Sequence, residues 1–74
     1  EPTQGLSTAE VEAFISLIRQ VAKSTTILLI EHNMQVVMEL AHRITVMERG
    51  RILAEGTPEE IRSNQAVQQA YLGA

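Results

Sequence analysis

The chain has 74 residues, is 45% hydrophobic and 20% charged, and carries a formal net charge of −3. That length allows at most one small domain, burying only ~60% of its unfolded surface, and the absence of cysteine removes disulfides and thiolate metal sites as staples. An acidic balance with one Tyr and one Phe excludes a general nucleic-acid binder, and the longest apolar run, Ile27–Ile30, is too short to span a bilayer.

Glu1 to Leu6 places Pro and Gly close together and reads as a loop. Ser7-Thr8-Ala9-Glu10 then matches a capping box, in which a hydroxyl and a carboxylate satisfy each other's orphan amides. Val11, Phe14, Ile15, Ile18, Val21 and Ala22 recur at helical spacing, predicting a helix from about residue 8 to 23. Thr25 to Ile30 is β-branched and apolar without alternation, which predicts a strand buried on both faces, as in a parallel sheet. Met34 to His42 returns to helical spacing through Val37, Met38 and Ala41. Ile44–Met47 and Ile52–Ala54 flank Glu48-Arg49-Gly50-Arg51, predicting a hairpin whose positive φ falls on Gly50. Thr57-Pro58-Glu59-Glu60 is a further helix start, with Thr as cap and Pro at the first helical position. Asn64 interrupts that helix, and a last one over residues 66–72 is stopped by Gly73. Met34, Met38 and Met47 are expected in the core; Arg43, Arg49 and Arg51 form a solvated hairpin surface or one that faces a partner.

The order is helix, strand, helix, hairpin and two short helices, an α/β pattern. A crossover helix packs a sheet by joining two parallel strands, so the first helix implies a strand upstream of Glu1. Glu1 and His32 would then both lie just past the C-terminal ends of parallel strands, where such sheets bind ligands. A carboxylate and an imidazole converging there can polarise a water and contact a transferring phosphoryl group. The alternatives are that Glu1 is simply a charged terminal residue and that His32 caps the strand or the next helix. A metal site from Glu31, His32 and His42 is disfavoured, because the gap between the histidines matches no helical ligand spacing. His42 fits better as a residue ending a helix.

At this point the residues carry a resemblance. Glu1-Pro2-Thr3 with a Gly-Leu loop, a helix, an apolar strand, Glu31-His32-Asn33-Met34, and later Arg43-Ile44-Thr45-Val46-Met47 and Gly50-Arg51-Ile52-Leu53-Ala54-Glu55-Gly56-Thr57-Pro58-Glu59-Glu60-Ile61 resemble the C-terminal end of an ABC transporter ATP-binding subunit. The closing Asn64-Gln65-Ala66-Val67 and Ala70-Tyr71-Leu72-Gly73 resemble the tail of the branched-chain amino-acid importers and the related urea importers.

The resemblance implies the C-terminal part of a P-loop NTPase fold: residues 1–7 as the segment after Walker B and the D-loop, 26–34 as a strand and H-loop, and 43–74 as a hairpin and helices. It implies that Glu1 is the catalytic glutamate orienting the attacking water, and that His32 is the switch histidine contacting the γ-phosphate. Gln4, Gly5, Leu6 and Ser7 fall on the D-loop that crosses to a second ATPase subunit, with Ser7 where many members carry Asp. Permease subunits are implied as further partners, placing the subunit in the cytoplasm on the inner face of the membrane; nucleic acid is not. The full-length subunit would use ATP and Mg2+. This chain contains no Asp and no Gly-rich phosphate loop, so alone it is expected neither to bind ATP at micromolar affinity nor to hydrolyse it. Its Thr26–Ile30 strand would lack both sheet neighbours, predicting self-association, strand exchange or collapse onto Ile44–Met47. Two other readings remain: a non-catalytic α/β interaction module that self-associates, and a metal-dependent hydrolase using Glu1, Glu31 and His32.

Overall fold

The computed structural model describes residues 2–72, so Glu1 and the expected helix stop at Gly73 lie outside the described residues. The chain divides into two compact units, Glu1–Leu40 and Ala41–Ala74.

In the first unit, α1 spans Thr8–Ala22. Its start is the expected capping box: Ser7 Oγ accepts from the Glu10 N–H at 3.2 Å, and Glu10 Oε1 accepts from the Ser7 N–H at 2.9 Å. Lys23 closes the other end, its N–H donating to the Gln20 carbonyl at 3.3 Å. Ile15 is buried, while Val11, Phe14 and Ile18 are half-buried. The apolar stripe read from the sequence continued through Val21 and Ala22, but both are exposed, as is Leu17. α1 packs against α2 (Met34–Leu40), whose Val36 is wholly buried. Asn33 caps α2, with Oδ1 accepting from Val36 N–H at 3.3 Å and its carbonyl from Val37 N–H at 3.1 Å. Arg19 Nη2 reaches from α1 to Glu39 Oε2 at 3.7 Å, an exposed pair of small energetic weight.

The segment between these helices departs from expectation. Residues 26–33 adopt no regular secondary structure, and the strand predicted over Thr25–Ile30 is not formed. Burial on both faces is not seen either: Leu28 is 91% and Ile30 73% exposed. Burial instead alternates, with Ile27, Leu29, Glu31 and Asn33 half-covered and Leu28, Ile30 and His32 exposed. A strand exists only through a neighbour's hydrogen bonds, and the sheet of the described residues has two strands that pair with each other. Ile44–Glu48 pairs with Arg51–Gly56, the segment beside it in sequence.

In the second unit, β1 (Ile44–Glu48) and β2 (Arg51–Gly56) form the expected antiparallel hairpin. Its two-residue loop has φ of 52° at Arg49 and 76° at Gly50, so both central residues are left-handed, as the twist of a tight hairpin favours. Pairing moves from Met47–Ile52 to Val46–Ala54, leaving Leu53 as the extra residue of a bulge. The bulge lets adjacent Leu53 and Ala54 both be half-buried. Ile44 and Val46 point inward on β1, and Ile61 and Val67 are the other buried apolar side chains among the described residues of this unit. α3 (Pro58–Arg62) starts on a second capping box, Thr57 with Glu60, and α4 (Gln65–Val67) starts on Asn64. Both lie against β2. A π-helical turn, Gln68–Leu72, follows, and the Tyr71 hydroxyl donates to the Met47 carbonyl.

Two smaller expectations are corrected here. Met47 is 52% exposed because the alternation of β1 turns it outward, opposite exposed Ile52; Met34 and Met38 are half-buried. α2 ends at Leu40, so exposed His42 lies beyond it, in the bend leading to β1. Among the described residues, no helix is long and apolar enough to cross a membrane.

Candidate functional site

The residues singled out for chemistry sit on two stretches of the first unit, the turn after Glu1 and the loop before α2. Glu1 itself lies outside the described residues. Residues 2–5 form a turn in which Leu6 N–H donates to the Thr3 carbonyl at 3.1 Å. Gly5 has a φ of 81°, a conformation in which glycine avoids the Cβ penalty. Gln4, Gly5, Leu6 and Ser7 are all exposed, and the Ser7 oxygen is engaged in capping α1. Thr3 is the exception in this turn: it is a buried polar residue, 5% exposed.

What holds Thr3 is Glu31. The Thr3 N–H donates to Glu31 Oε2 at 3.0 Å across a sequence separation of 28 residues. The other carboxylate oxygen, Oε1, accepts from the Asn33 N–H at 3.4 Å. Burial pushes the Glu31 carboxyl up, but hydrogen bonds from Thr3, Asn33 and the His32 backbone outweigh it, so the net shift is downward and the ionised form is favoured. His32 is exposed, on the opposite side of the alternation from Glu31.

The two stretches are therefore brought together through Thr3 and Glu31, the residues flanking the two candidates. From the sequence, Glu31 stood only as a candidate metal ligand and as part of the Glu31–Met34 stretch that carries the resemblance. Its contact with Thr3 is long-range and leaves no local pattern. The one available signal was period two: a run reading Ile27, Leu29, Glu31, Asn33 on one side puts Glu31 inward when His32 faces out. Both Glu31 oxygens are occupied by amide donors, and the described residues contain no cluster of three His or Glu side chains suited to a metal.

A family model described as branched-chain amino acid ATP-binding cassette transporter matches residues 51–74. The chain is 49% identical to the high-affinity branched-chain amino acid transport ATP-binding protein LivG of Salmonella typhimurium, over 99% of this chain and 29% of that protein. It is 48% identical to LivG of Escherichia coli K12 and 44% identical to BraF, of the same description, from Pseudomonas aeruginosa, with the same coverage. The chain thus spans about 29% of the length of the curated relatives it matches. By sequence it belongs to the family of ABC transporter ATP-binding proteins and corresponds to a C-terminal segment of those resembling the branched-chain amino acid type.

Proposed function

We propose that this chain supplies the C-terminal part of the ATP-hydrolysing subunit of an ABC importer for a small solute, with branched-chain amino acids as that solute. The observation that carries the reading is the 49% identity to LivG over 99% of the chain. In this reading, residues 1–7, 26–34 and 43–74 are the segment after Walker B with the D-loop, the segment carrying the H-loop, and the C-terminal hairpin and helices of a P-loop NTPase. The Glu1 carboxylate accepts a proton from, and orients, the attacking water. His32 contacts the γ-phosphate, a role supported by its exposure beside the loop that Glu31 anchors. Gln4, Gly5, Leu6 and Ser7 face a second ATPase subunit, and permease subunits hold the assembly at the inner face of the membrane.

Phosphoryl transfer depends on positioning and charge stabilisation more than on covalent help from the protein. Mg2+ would arrive with the nucleotide and be held by upstream residues, none of which belongs to this chain. The 74 residues alone therefore contribute the water-orienting and phosphate-sensing groups without the phosphate cradle.

The test uses the full-length subunit carrying this segment. Glu1→Gln is expected to keep Mg-ATP affinity while hydrolysis falls by about 10²-fold or more. Wild-type turnover by Glu1→Gln would contradict the role. No hydrolysis by the wild-type subunit would instead favour a non-catalytic interaction module.

A further inference from the structure

Among the described residues of the first unit, Glu31 is the one carboxylate that hydrogen-bonds to a segment distant in sequence and to its own loop at once. Oε2 takes the Thr3 N–H at 3.0 Å, and Oε1 takes the Asn33 N–H at 3.4 Å. Thr3 lies two residues after Glu1, and its carbonyl closes the turn that leads to Ser7. Asn33 follows His32 and caps α2 through its own side chain. One carboxylate thus links the backbone behind Glu1 and Gln4–Ser7 to the backbone that carries His32.

We propose that Glu31 is a positioning residue that sets the spacing between the Glu1 segment and the His32 loop, so that water orientation and γ-phosphate contact occur in register. The proposal rests on the functional reading above. Glutamate suits the task because an ionised carboxylate accepts at both oxygens. A glutamine presents only one acceptor oxygen and would keep only one of the two bonds. Thr3 is 5% exposed and Glu31 is half-covered, so water has restricted access to the contact.

The experiment compares Glu31→Ala and Glu31→Gln with wild type in the full-length subunit, measuring steady-state ATP hydrolysis and hydrogen exchange at the Thr3 amide. Glu31→Ala is expected to lower kcat by about tenfold or more, since small misplacements of reacting groups are costly. KM for Mg-ATP should stay within about twofold, because the nucleotide's phosphates are held elsewhere. Glu31→Gln should fall between Ala and wild type. Exchange at Thr3 should accelerate in Glu31→Ala by about tenfold or more, reporting the lost bond. Unchanged kcat in Glu31→Ala, or a raised KM at unchanged kcat, overturns the positioning role. If Glu31→Ala does not fold, Glu31→Gln carries the same test: a wild-type kcat together with wild-type Thr3 exchange overturns it. If wild-type subunit hydrolyses no ATP, the functional reading fails, and unchanged Thr3 exchange in the variants would separately overturn the tether.

Discussion

At Gly56 the end of β2 passes so close to α3 that a Cβ would stand 2.7 Å from Glu60 Oε1 and 3.2 Å from Glu60 Cβ. The same Glu60 oxygen accepts from the Thr57 N–H at 2.9 Å, half of the second capping box. Gly56→Ala is therefore expected to push the carboxylate off its amide and to destabilise the second unit by about 1 kcal/mol through overpacking. The check is a double-mutant cycle with Glu60→Ala by denaturant unfolding: the Gly56→Ala penalty should largely vanish once Glu60 is trimmed. An equal penalty in both backgrounds would show that the close approach is not what glycine relieves. Nothing local announced the Glu31–Thr3 bond, which joins residues 28 apart, whereas Ser7 with Glu10 and Thr57 with Glu60 were legible because each bond spans only three residues. The Gly56 crowding is local, four residues from Glu60, but it follows from the backbone path into α3 rather than from residue type.

The elements that were predictable carry their own termination signals. α1 begins directly after Ser7 as its capping box required, the hairpin turns on Gly50, and Pro58 opens α3. Arg49 joining Gly50 at positive φ was not foreseen, since nothing about arginine favours that region. The strand over Thr25–Ile30 failed for a different reason: apolar β-branched composition reports compatibility with a sheet, while the sheet must come from other residues. The capping boxes give a pH expectation at this scale. The Glu10 carboxyl is held low by the Ser7 backbone N–H and then its hydroxyl, and Glu60 likewise by Thr57. With folded values below unfolded ones, each contributes stability that is present above the usual carboxylate range and is lost as pH falls through it. Helical circular dichroism should fall on acidification through and below that range, and less so in a Glu10→Gln, Glu60→Gln double variant. An equal acid response in that variant would sink the assignment.

Across the whole molecule, the exposed large apolar side chains among the described residues of the first unit are Leu6, Leu17, Val21, Leu28 and Ile30. Such a surface on so short a chain is a liability in water unless something covers it. The chain spans about 29% of its relatives' length, and in the full-length subunit upstream residues would supply that cover. The isolated 74 residues are accordingly expected to self-associate, with Leu28→Lys and Ile30→Lys together shifting them toward monomer in sedimentation equilibrium. A monodisperse wild-type monomer would contradict this. Family membership was legible over the entire chain because motif order survives in sequence even where one element lacks its partners; that residues 26–30 would lack sheet neighbours was legible with it, but their failure to form a strand was not, because strand form itself requires a neighbour's hydrogen bonds.

The central claim, that His32 is a working contact to the γ-phosphate, is tested most directly by steady-state ATP hydrolysis of the full-length subunit carrying His32→Ala. The account predicts turnover reduced by about 10²-fold with Mg-ATP still bound, the signature of a contact made in the transition state. Wild-type turnover in that variant would contradict it.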